Sequence, residues 1–279
     1  MTAKDLFMKT LAFCWAKLGL GLLNILICTV LFAIMMGISL LFASEGVAGI
    51  MLFVWLALAG AVNFAINHYF GCLVKAGHVA IIAQTFKDGR VPANCVSVGK
   101  KMVLDRFGTA NAYFAIDKLV SGAVKQLQRT LGRVTNSLFG AVPGADTVKS
   151  AANFFLDISL GYVDECCLSY TFYKNDQNAY KSACDGVVIY AQNWKHLLKN
   201  AAMTALTVII SLLVVILVAF IIFGGTFRLL GWSGFVAFIL SLMLAWTVKF
   251  AFIDSWIMVK MMHGYMQVAP STVITFDLY

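Results

Sequence analysis

Charged side chains are scarce in this sequence. Only 12% of its 279 residues are Asp, Glu, Lys or Arg, whereas 61% are hydrophobic, and the mean hydropathy is +0.86. A soluble domain carries about 25% charged residues, so this composition argues against a soluble globular enzyme. Intrinsic disorder requires low hydrophobicity and high charge, and is excluded as well. The composition is that of a multi-pass membrane protein.

Recognisable chemical motifs are also missing. The sequence has no P-loop, no Gly-x-Ser-x-Gly, no His-Glu-x-x-His and no dinucleotide-binding fingerprint. Its seven cysteines form no Cys-x-x-Cys pair, and its four histidines supply no spaced ligand set. Aromatic residues are not interleaved with basic ones as base stacking requires. We therefore expect no enzymatic activity, no cofactor, no metal site and no nucleic-acid partner.

The basic residues are concentrated in the middle of the chain. Lys and Arg outnumber Asp and Glu by 21 to 13 overall, and residues 75–150 hold eleven basic residues against four acidic ones. Positively charged segments beside membrane spans remain in the cytoplasm. The sequence therefore predicts that this stretch is cytoplasmic, where it could also bind anionic lipid.

Two pairs of apolar runs predict two transmembrane hairpins. Residues 18–43 and 47–74 are uncharged, and each run exceeds the roughly 20 residues needed to cross the hydrocarbon core. The break between them has no Lys or Arg, whereas both outer flanks do, which predicts that both ends of the hairpin are cytoplasmic. Residues 201–223 and 232–262 predict a second hairpin with the same orientation.

The expected fold is therefore all-α, a polytopic plasma-membrane protein with four spans and cytoplasmic N- and C-termini. Residues 1–74 form the first hairpin, residues 75–200 a basic amphipathic helical region at the cytoplasmic face, and residues 201–279 the second hairpin and tail. Segment 151–173 is long enough to span but holds three acids. Whether it spans, re-enters or lies in the plane is open; a single crossing would invert the second hairpin, so we favour a non-spanning helix.

Apolar residues recur every three or four positions from Tyr113 onwards, which predicts one face of an amphipathic helix. The opposite face is basic and includes Lys118, Lys125, Arg129 and Arg133. The apolar stripe is expected to lie in the lipid headgroup region or to pack on partner helices. Its candidate lipid-facing or assembly residues are Ile116, Val120, Val124, Leu127 and Leu131.

Asp254 is the most conspicuous ionisable residue, because it lies inside the last apolar segment. A carboxylate at such a position faces protein or water and is a candidate cation or proton site, with a structural polar lock as the alternative. Lys249 lies five residues earlier, about 140° away around an α-helix. The two are therefore expected to be poor partners for each other.

Further polar residues could line a cation pathway. Asp157 and Asp164 are seven residues apart, on one helical face, and Glu165 is adjacent. They would attract a cation if they face a cavity, and would otherwise form a solvated acidic face or pair with nearby basic residues. In the second apolar run, polar side chains could line a path or bond neighbouring helices. The full candidate set is Asp157, Asp164, Glu165, Asp254, Asn63, Asn67 and His68.

Three stretches carry a resemblance to a known family: YFGCLVKAGHVAIIAQTFKDGRVP, SVGKKMVLDRFGTANAYFAIDKLVSGAVKQL and FIDSWIMVKMMHGYM. They resemble, in this order, the C-terminal half of the choline transporter-like family, which implies transport of choline or a related cation. The chain lacks the family's large extracellular loop and about half of its spans, so the resemblance also implies a homo-oligomer that supplies the missing helices. The whole chain resembles uncharacterised multi-pass membrane proteins of Firmicutes bacteria.

Two functions are compatible with these features. The first is a transporter or channel for choline or another small cation, which would lose uptake when Asp254 is changed to Asn. The alternative is an oligomeric membrane scaffold or anchor that assembles with itself or with a soluble cytoplasmic partner. A scaffold would lose assembly when Val120 or Leu127 is changed to Asp.

Overall fold

The computed structural model describes residues 1–42, 45–139, 150, 162–229, 234–275 and 277–279. Every element in these ranges is helical, which confirms the all-α prediction for them. The helices are α1 Ala3–Lys9, α2 Leu11–Phe42, α3 Glu45–Ala65, α4 Cys72–Asp88, α5 Cys95–Phe107, α6 Ala110–Phe139, α7 Val163–Tyr173, α8 Ala179–Leu229, α9 Gly234–Val248 and α10 Asp254–Val268. Two π-helical turns, Ile66–Gly71 and Lys249–Ile253, join α3 to α4 and α9 to α10.

The described part contains three helical stretches that are long and apolar enough to cross a membrane: Leu11–Phe42, Gly46–Asp88 and Ser241–Ser271. A shorter apolar stretch, Ile210–Thr226, lies within α8. Large apolar side chains cover the outside of these helices; Leu41 is 83% exposed and Phe53 is 75% exposed. An apolar surface of this extent is not stable against water. The three apolar helices are thus those expected of a membrane protein.

A closely packed core lies next to the apolar stretches. Helices α1, α4, α7, α10 and the first part of α8 contribute its largest side chains, including Leu6, Ile82, Leu168, Tyr190 and Met262, none more than 1% exposed. Burying a large apolar side chain contributes about 1.5–3 kcal/mol. The core thus joins the middle of the chain to both of its ends.

The apolar stripe of α6 faces this core. Ile116, Val120 and Val124 are at most 4% exposed, and α6 packs against α7 and α8. Of the two expected environments, lipid headgroups or partner helices, these three residues have the second, because helices of the same chain supply the apolar surface that covers them. Leu127 and Leu131 belong to α6, but their side chains lie outside the described residues.

Two helix pairs approach so closely that only glycine fits between them. A Cβ atom at Gly186 of α8 would lie 2.6 Å from the carbonyl oxygen of Cys167 in α7. A Cβ atom at Gly99 of α5 would lie 2.6 Å from the carbonyl oxygen of Gly77 in α4. Both contacts fix the helices that hold the ionisable side chains described below.

The described middle of the chain consists of helices joined by short turns. Helix α4 continues beyond the second apolar run and ends at Asp88, and the next residue, Gly89, has a φ of 72°. Helix α7 is buried in the core, so the second half of segment 151–173 does not face lipid; residues 151–161 lie outside the described ranges. Helix α8 runs without a break from Ala179 into the third apolar run.

Candidate functional site

Three carboxyl groups surround one lysine at the boundary between the apolar helices and the core. The Lys75 Nζ atom lies 2.7 Å from Glu165 Oε1, 3.8 Å from Asp164 Oδ2 and 3.9 Å from Asp117 Oδ1. Lys75 is in the first turn of α4, Asp117 is on the buried face of α6, and both other acids are in the first turn of α7. We call Lys75, Asp117, Asp164 and Glu165 the acidic cluster.

The acidic cluster contains more carboxyl groups than ammonium groups. Three carboxyl groups face one partly buried ammonium, and the Lys118 ammonium, 3.9 Å from Asp117 Oδ2, is largely exposed to solvent. Within the described ranges, Glu165 Oε2, Asp117 Oδ1 and the Tyr113 hydroxyl are buried without a hydrogen-bond partner. Burying a carboxylate without compensation is costly, so this arrangement favours binding of a positive charge.

Burial and neighbouring charges shift the pKa values of the three acids in opposite directions. Burial raises the pKa of Glu165 well above its ordinary value, and the negative charge of Asp164 adds to the effect. Burial also raises the pKa of Asp117. The same burial acts on Asp164, but hydrogen bonds from Glu165 and Ser121 and the charge of Lys75 outweigh it, so its pKa is lowered. Of the three acids, Glu165 and Asp117 are therefore the ones whose surroundings favour the protonated form.

A second ion pair lies in the last apolar segment. The Lys249 Nζ atom donates to Asp254 Oδ2 at 3.0 Å, so the expectation that the two residues are poor partners is wrong. That expectation assumed α-helical geometry. The backbone N–H of Asp254 instead donates to the carbonyl oxygen of Lys249, which is the i→i+5 bond of a π-helix. The wider turn brings residues five apart to the same face.

Tyr162 connects this ion pair to the acidic cluster. Its hydroxyl donates to Asp254 Oδ1 at 3.0 Å, and it directly precedes the helix that carries Asp164 and Glu165. Burial, and then the negative charges of Asp254 and Glu165, raise the pKa of Tyr162. On the neighbouring residue, Ser255 Oγ accepts a hydrogen bond from Lys17 Nζ at 2.8 Å. Lys17 comes from α2, so α2, the π-helical turn, α10 and the residue before α7 meet here.

A cavity of about 650 Å³ lies on the other side of Lys17. Asn63 Oδ1 accepts hydrogen bonds on its wall from Asn24 Nδ2 at 3.1 Å and from Asn67 Nδ2 at 2.8 Å. Both π-helical turns border this space, through Asn67 and Phe250. The polar cavity, as we call it, is lined by Lys17, Leu20, Gly21, Asn24, Ile25, Asn63, Ile66, Asn67, Gly71, Leu242, Met243, Trp246, Thr247 and Phe250.

The structure divides the sequence-predicted pathway residues among these places. Asn63 and Asn67 line the polar cavity, whereas Asp164 and Glu165 belong to the acidic cluster and Asp254 to the Lys249 pair. None of these three acids is among the cavity-lining residues.

The two other pathway candidates fall elsewhere. His68 is 3.3 Å from Asn111 through Nε2 and Oδ1, and its ring contacts Phe64 and Phe114. It is not among the cavity-lining residues. Asp157 lies outside the described residues.

The sequence-based candidates omit several residues of these sites, among them Lys17, Asn24, Lys75 and Asp117. Lys17 and Lys75 stand at the edges of apolar runs, where a lysine is ordinarily a flanking charge. Asp117 carries a recognisable signal, because it follows Tyr113 by four residues and so lies on the apolar face of its helix. An acid on such a face requires a partner inside the protein.

In the part of the chain that the structure describes, no three His, Cys, Asp or Glu side chains are arranged to hold a metal ion. Comparison with known proteins finds no matching family model, no similar curated protein and no similar solved structure.

Proposed function

We propose that the protein is a membrane transporter for a small cation and that the cation held at the acidic cluster is a proton. The proposal rests on one observation: Glu165 is buried 2.7 Å from Lys75, beside the carboxyl group of Asp164. A carboxyl group whose pKa is raised in this way can take up and release a proton closer to neutral pH.

A proton suits the cluster better than a larger cation does. The Lys75 ammonium already occupies the position between the carboxyl groups, so a metal ion or an organic cation would have to displace it. A proton needs only a free carboxyl oxygen, and Glu165 Oε2 and Asp117 Oδ1 have no hydrogen-bond partner within the described ranges. When the proton leaves, Lys75 acts as the counter-ion that stabilises the buried Glu165 carboxylate.

The proton site is linked to the membrane-embedded part by Tyr162. Protonation at Glu165 changes the charge near Tyr162, which bonds Asp254, whose partner Lys249 begins a π-helical turn. Such turns are frequent at functional sites and interrupt the regular bonding of a helix. In this proposal the turn is where proton binding is coupled to movement of the apolar helices.

We propose four spans with both termini on the cytoplasmic side of the plasma membrane. Both ends of the chain meet on one side of the molecule: His263 Nε2 is 3.0 Å from the carbonyl oxygen of Met1, and the rings of Phe7 and Trp256 are 5.2 Å apart. This supports an even number of crossings. The three long apolar stretches supply three of them, and the shorter apolar stretch of α8, Ile210–Thr226, is the fourth. Protease should then cut the exposed turn at 89–94 in inside-out vesicles and not in intact cells.

The transported solute and the assembly state are separate parts of the proposal. The resemblance to the choline transporter-like family makes choline the first solute to test. Lys118, Lys125, Arg129 and Arg133 are exposed on α6 and could hold anionic lipid. A homo-oligomer remains part of the proposal, and its size can be measured by mass photometry in nanodiscs.

The scaffold alternative has less support than transport. Its expected assembly surface, the stripe of α6, is buried within the chain at Ile116, Val120 and Val124. Changing Val120 to Asp would therefore damage the fold itself, and the loss of assembly would not be specific to a scaffold.

The deciding experiment is proton flux in proteoliposomes. Purified protein is reconstituted with an entrapped pH-sensitive dye, and inward gradients of choline and of glycine betaine, both poorly permeant, are applied in turn. A solute-dependent change in lumenal pH is expected, and Glu165→Gln should abolish it. Asp176→Asn, at an exposed acid outside the cluster, should leave it unchanged. The proposal fails if protein-containing and empty liposomes behave alike for every solute, or if the Glu165 variant matches the wild type.

A further inference from the structure

We infer that the polar cavity binds an organic anion whose carboxylate or phosphate group is held by Lys17. This inference gives the proposed proton-binding transporter an anionic solute in place of choline and so rests on that function. It is carried by three observations: the partners of Lys17, the chemistry of the cavity wall and the size of the space.

Lys17 is a buried ammonium without an anionic partner. The residue is 5% exposed, and its Nζ atom donates to the neutral Ser255 hydroxyl and lies 5.9 Å from the Phe250 ring centroid. In the described ranges no carboxylate lies within ion-pair distance of it. A buried charge is normally paired. An anion in the cavity would supply the missing partner.

The wall of the cavity offers donors and no competing carboxylate. Lys17 is the sole charged residue among the described lining residues. Asn63 Oδ1 already accepts from Asn24 and Asn67, and its own Nδ2 group makes no hydrogen bond to the described part of the chain. Asn67 Nδ2 donates to both the backbone oxygen and Oδ1 of Asn63, so within the described residues the N–H groups left to donate to a ligand are those of Asn63 and one of Asn24.

The size of the cavity suits a small organic molecule. Its volume of about 650 Å³ is in the range of small-molecule sites. Lys17 and Asn24 are seven residues apart on α2, which is about 10 Å along the helix axis. A ligand with its anionic group at Lys17 would reach Asn24 with its other end, and Trp246 and Phe250 would contact its body.

An anionic solute is also compatible in charge with the proton proposed at the acidic cluster. Lys17 would repel a cationic solute in the cavity, whereas one organic anion and one proton carry no net charge across the membrane together. Lys17 bonds Ser255, the neighbour of Asp254, so the two sites are separated by a short chain of polar contacts. Binding of the anion at one end can therefore influence the proton at the other.

Equilibrium binding to purified full-length protein tests the inference with three molecules of similar shape. Choline carries a positive charge, glycine betaine adds a carboxylate to the same cationic group, and 3,3-dimethylbutyrate keeps the carboxylate without the positive charge. Isothermal titration calorimetry in detergent should give tighter binding of both carboxylates than of choline. Lys17→Met should weaken carboxylate binding at least tenfold, as the loss of one charge-assisted hydrogen bond implies.

Two further variants keep the result interpretable. Lys17→Arg retains the positive charge and should retain most of the binding, while Lys9→Met, at an exposed lysine of α1, should bind as the wild type does. If Lys17→Met does not fold, Asn63→Asp places a negative charge on the same wall and should also weaken carboxylate binding. Nanodiscs of phosphatidylglycerol and of phosphatidylcholine distinguish the sources of the anion: competition by phosphatidylglycerol alone would identify a lipid headgroup at Lys17.

The inference is wrong if choline binds as tightly as the two carboxylates, or if Lys17→Met binds them as the wild type does. Absence of binding by any of the three molecules, with no effect of phosphatidylglycerol, would also overturn it. These outcomes are independent of proton flux. Tight carboxylate binding without flux would refute transport alone, whereas flux driven by choline without carboxylate binding would refute the anion site alone.

Discussion

Lys249 and Asp254 form a 3.0 Å ion pair across a π-helical turn. The pair depends on that turn, because the same two residues would lie on different faces of an α-helix. A local change in backbone geometry within an apolar segment therefore makes or breaks a charged contact. The Asp254 carboxylate has a second partner in Tyr162, which ties the turn to the core.

The coupling between these two charges can be measured with a double-mutant cycle of Lys249→Gln and Asp254→Asn. Their side chains are only about one-fifth exposed, at 21% and 20%, so we expect a coupling free energy of about 0.5–3 kcal/mol in detergent unfolding experiments. The exposed pair Lys181 and Asp277, 3.9 Å apart, is the matched control and should couple by about 0.5 kcal/mol or less. Equal coupling in both pairs would contradict the buried arrangement.

Lys75→Met should destabilise the protein strongly, because it leaves the three carboxyl groups of the acidic cluster without their counter-ion. We expect a loss of roughly 3 kcal/mol, the lower end for a broken buried pair, since the Lys75 side chain retains 28% of its exposure. Lys118→Met, at a 60% exposed side chain beside the same cluster, should change stability by less than about 0.5 kcal/mol. Unfolding curves for the two variants test this, and similar losses would refute the central role of Lys75.

The acidic cluster could be predicted only in part from the sequence, and the reason lies in its members. Asp164 and Glu165 are visible as acids in an apolar context. Lys75, at the end of an apolar run, is indistinguishable from the flanking lysines that mark the cytoplasmic side of a span. Its partners come from α6 and α7, more than 40 residues further along, and no local pattern specifies that packing.

Stability should fall as pH rises, because of Glu165. Its pKa is raised well above the ordinary value of 4.5, so above that pH the native state keeps a proton that the unfolded state releases. The free energy of unfolding therefore decreases with pH until the raised pKa is passed. Asp117, also with a raised pKa, acts in the same direction, whereas the lowered pKa of Asp164 acts below its ordinary 3.8.

Glu165→Gln cannot ionise, and its stability should vary less steeply with pH than that of the wild type. Melting temperatures from about pH 4 to about pH 8 provide the measurement. Asp117 leaves some slope in the variant, and Asp176→Asn should reproduce the wild-type slope. A Glu165→Gln curve parallel to the wild type would mean that Glu165 is ionised in the folded protein.

Gly186→Ala should destabilise the contact between α7 and α8. The added methyl group would lie 2.6 Å from the carbonyl oxygen of Cys167, which forces the backbones apart and costs about 1–3 kcal/mol. Gly122→Ala meets no atom within 4 Å and should be neutral or stabilising by up to about 1 kcal/mol. Thermal unfolding of the two variants side by side compares them, and a neutral Gly186→Ala would exclude the close approach.

The helices themselves follow from composition, whereas their interruptions do not. Long apolar runs predict α2, α3 and α9 because few other structures satisfy the backbone in lipid. The π-helical turns at Ile66–Gly71 and Lys249–Ile253 have no comparable signal in the sequence. Asn63 and Asn67 could be identified from the sequence as polar residues of an apolar run, whereas the bond of Asn63 to Asn24 and the cavity that they share with Lys17 could not, because these partners lie on another helix.

Helix α8 runs unbroken for 51 residues, from the buried core to the apolar surface. At 1.5 Å per residue it is a rod about 75 Å long. A tilt of about 5° at one end would carry the other end through roughly 6 Å over that length. A displacement of the lipid-facing end would therefore be transmitted along the helix to Gly186, which contacts α7, the helix that bears Asp164 and Glu165.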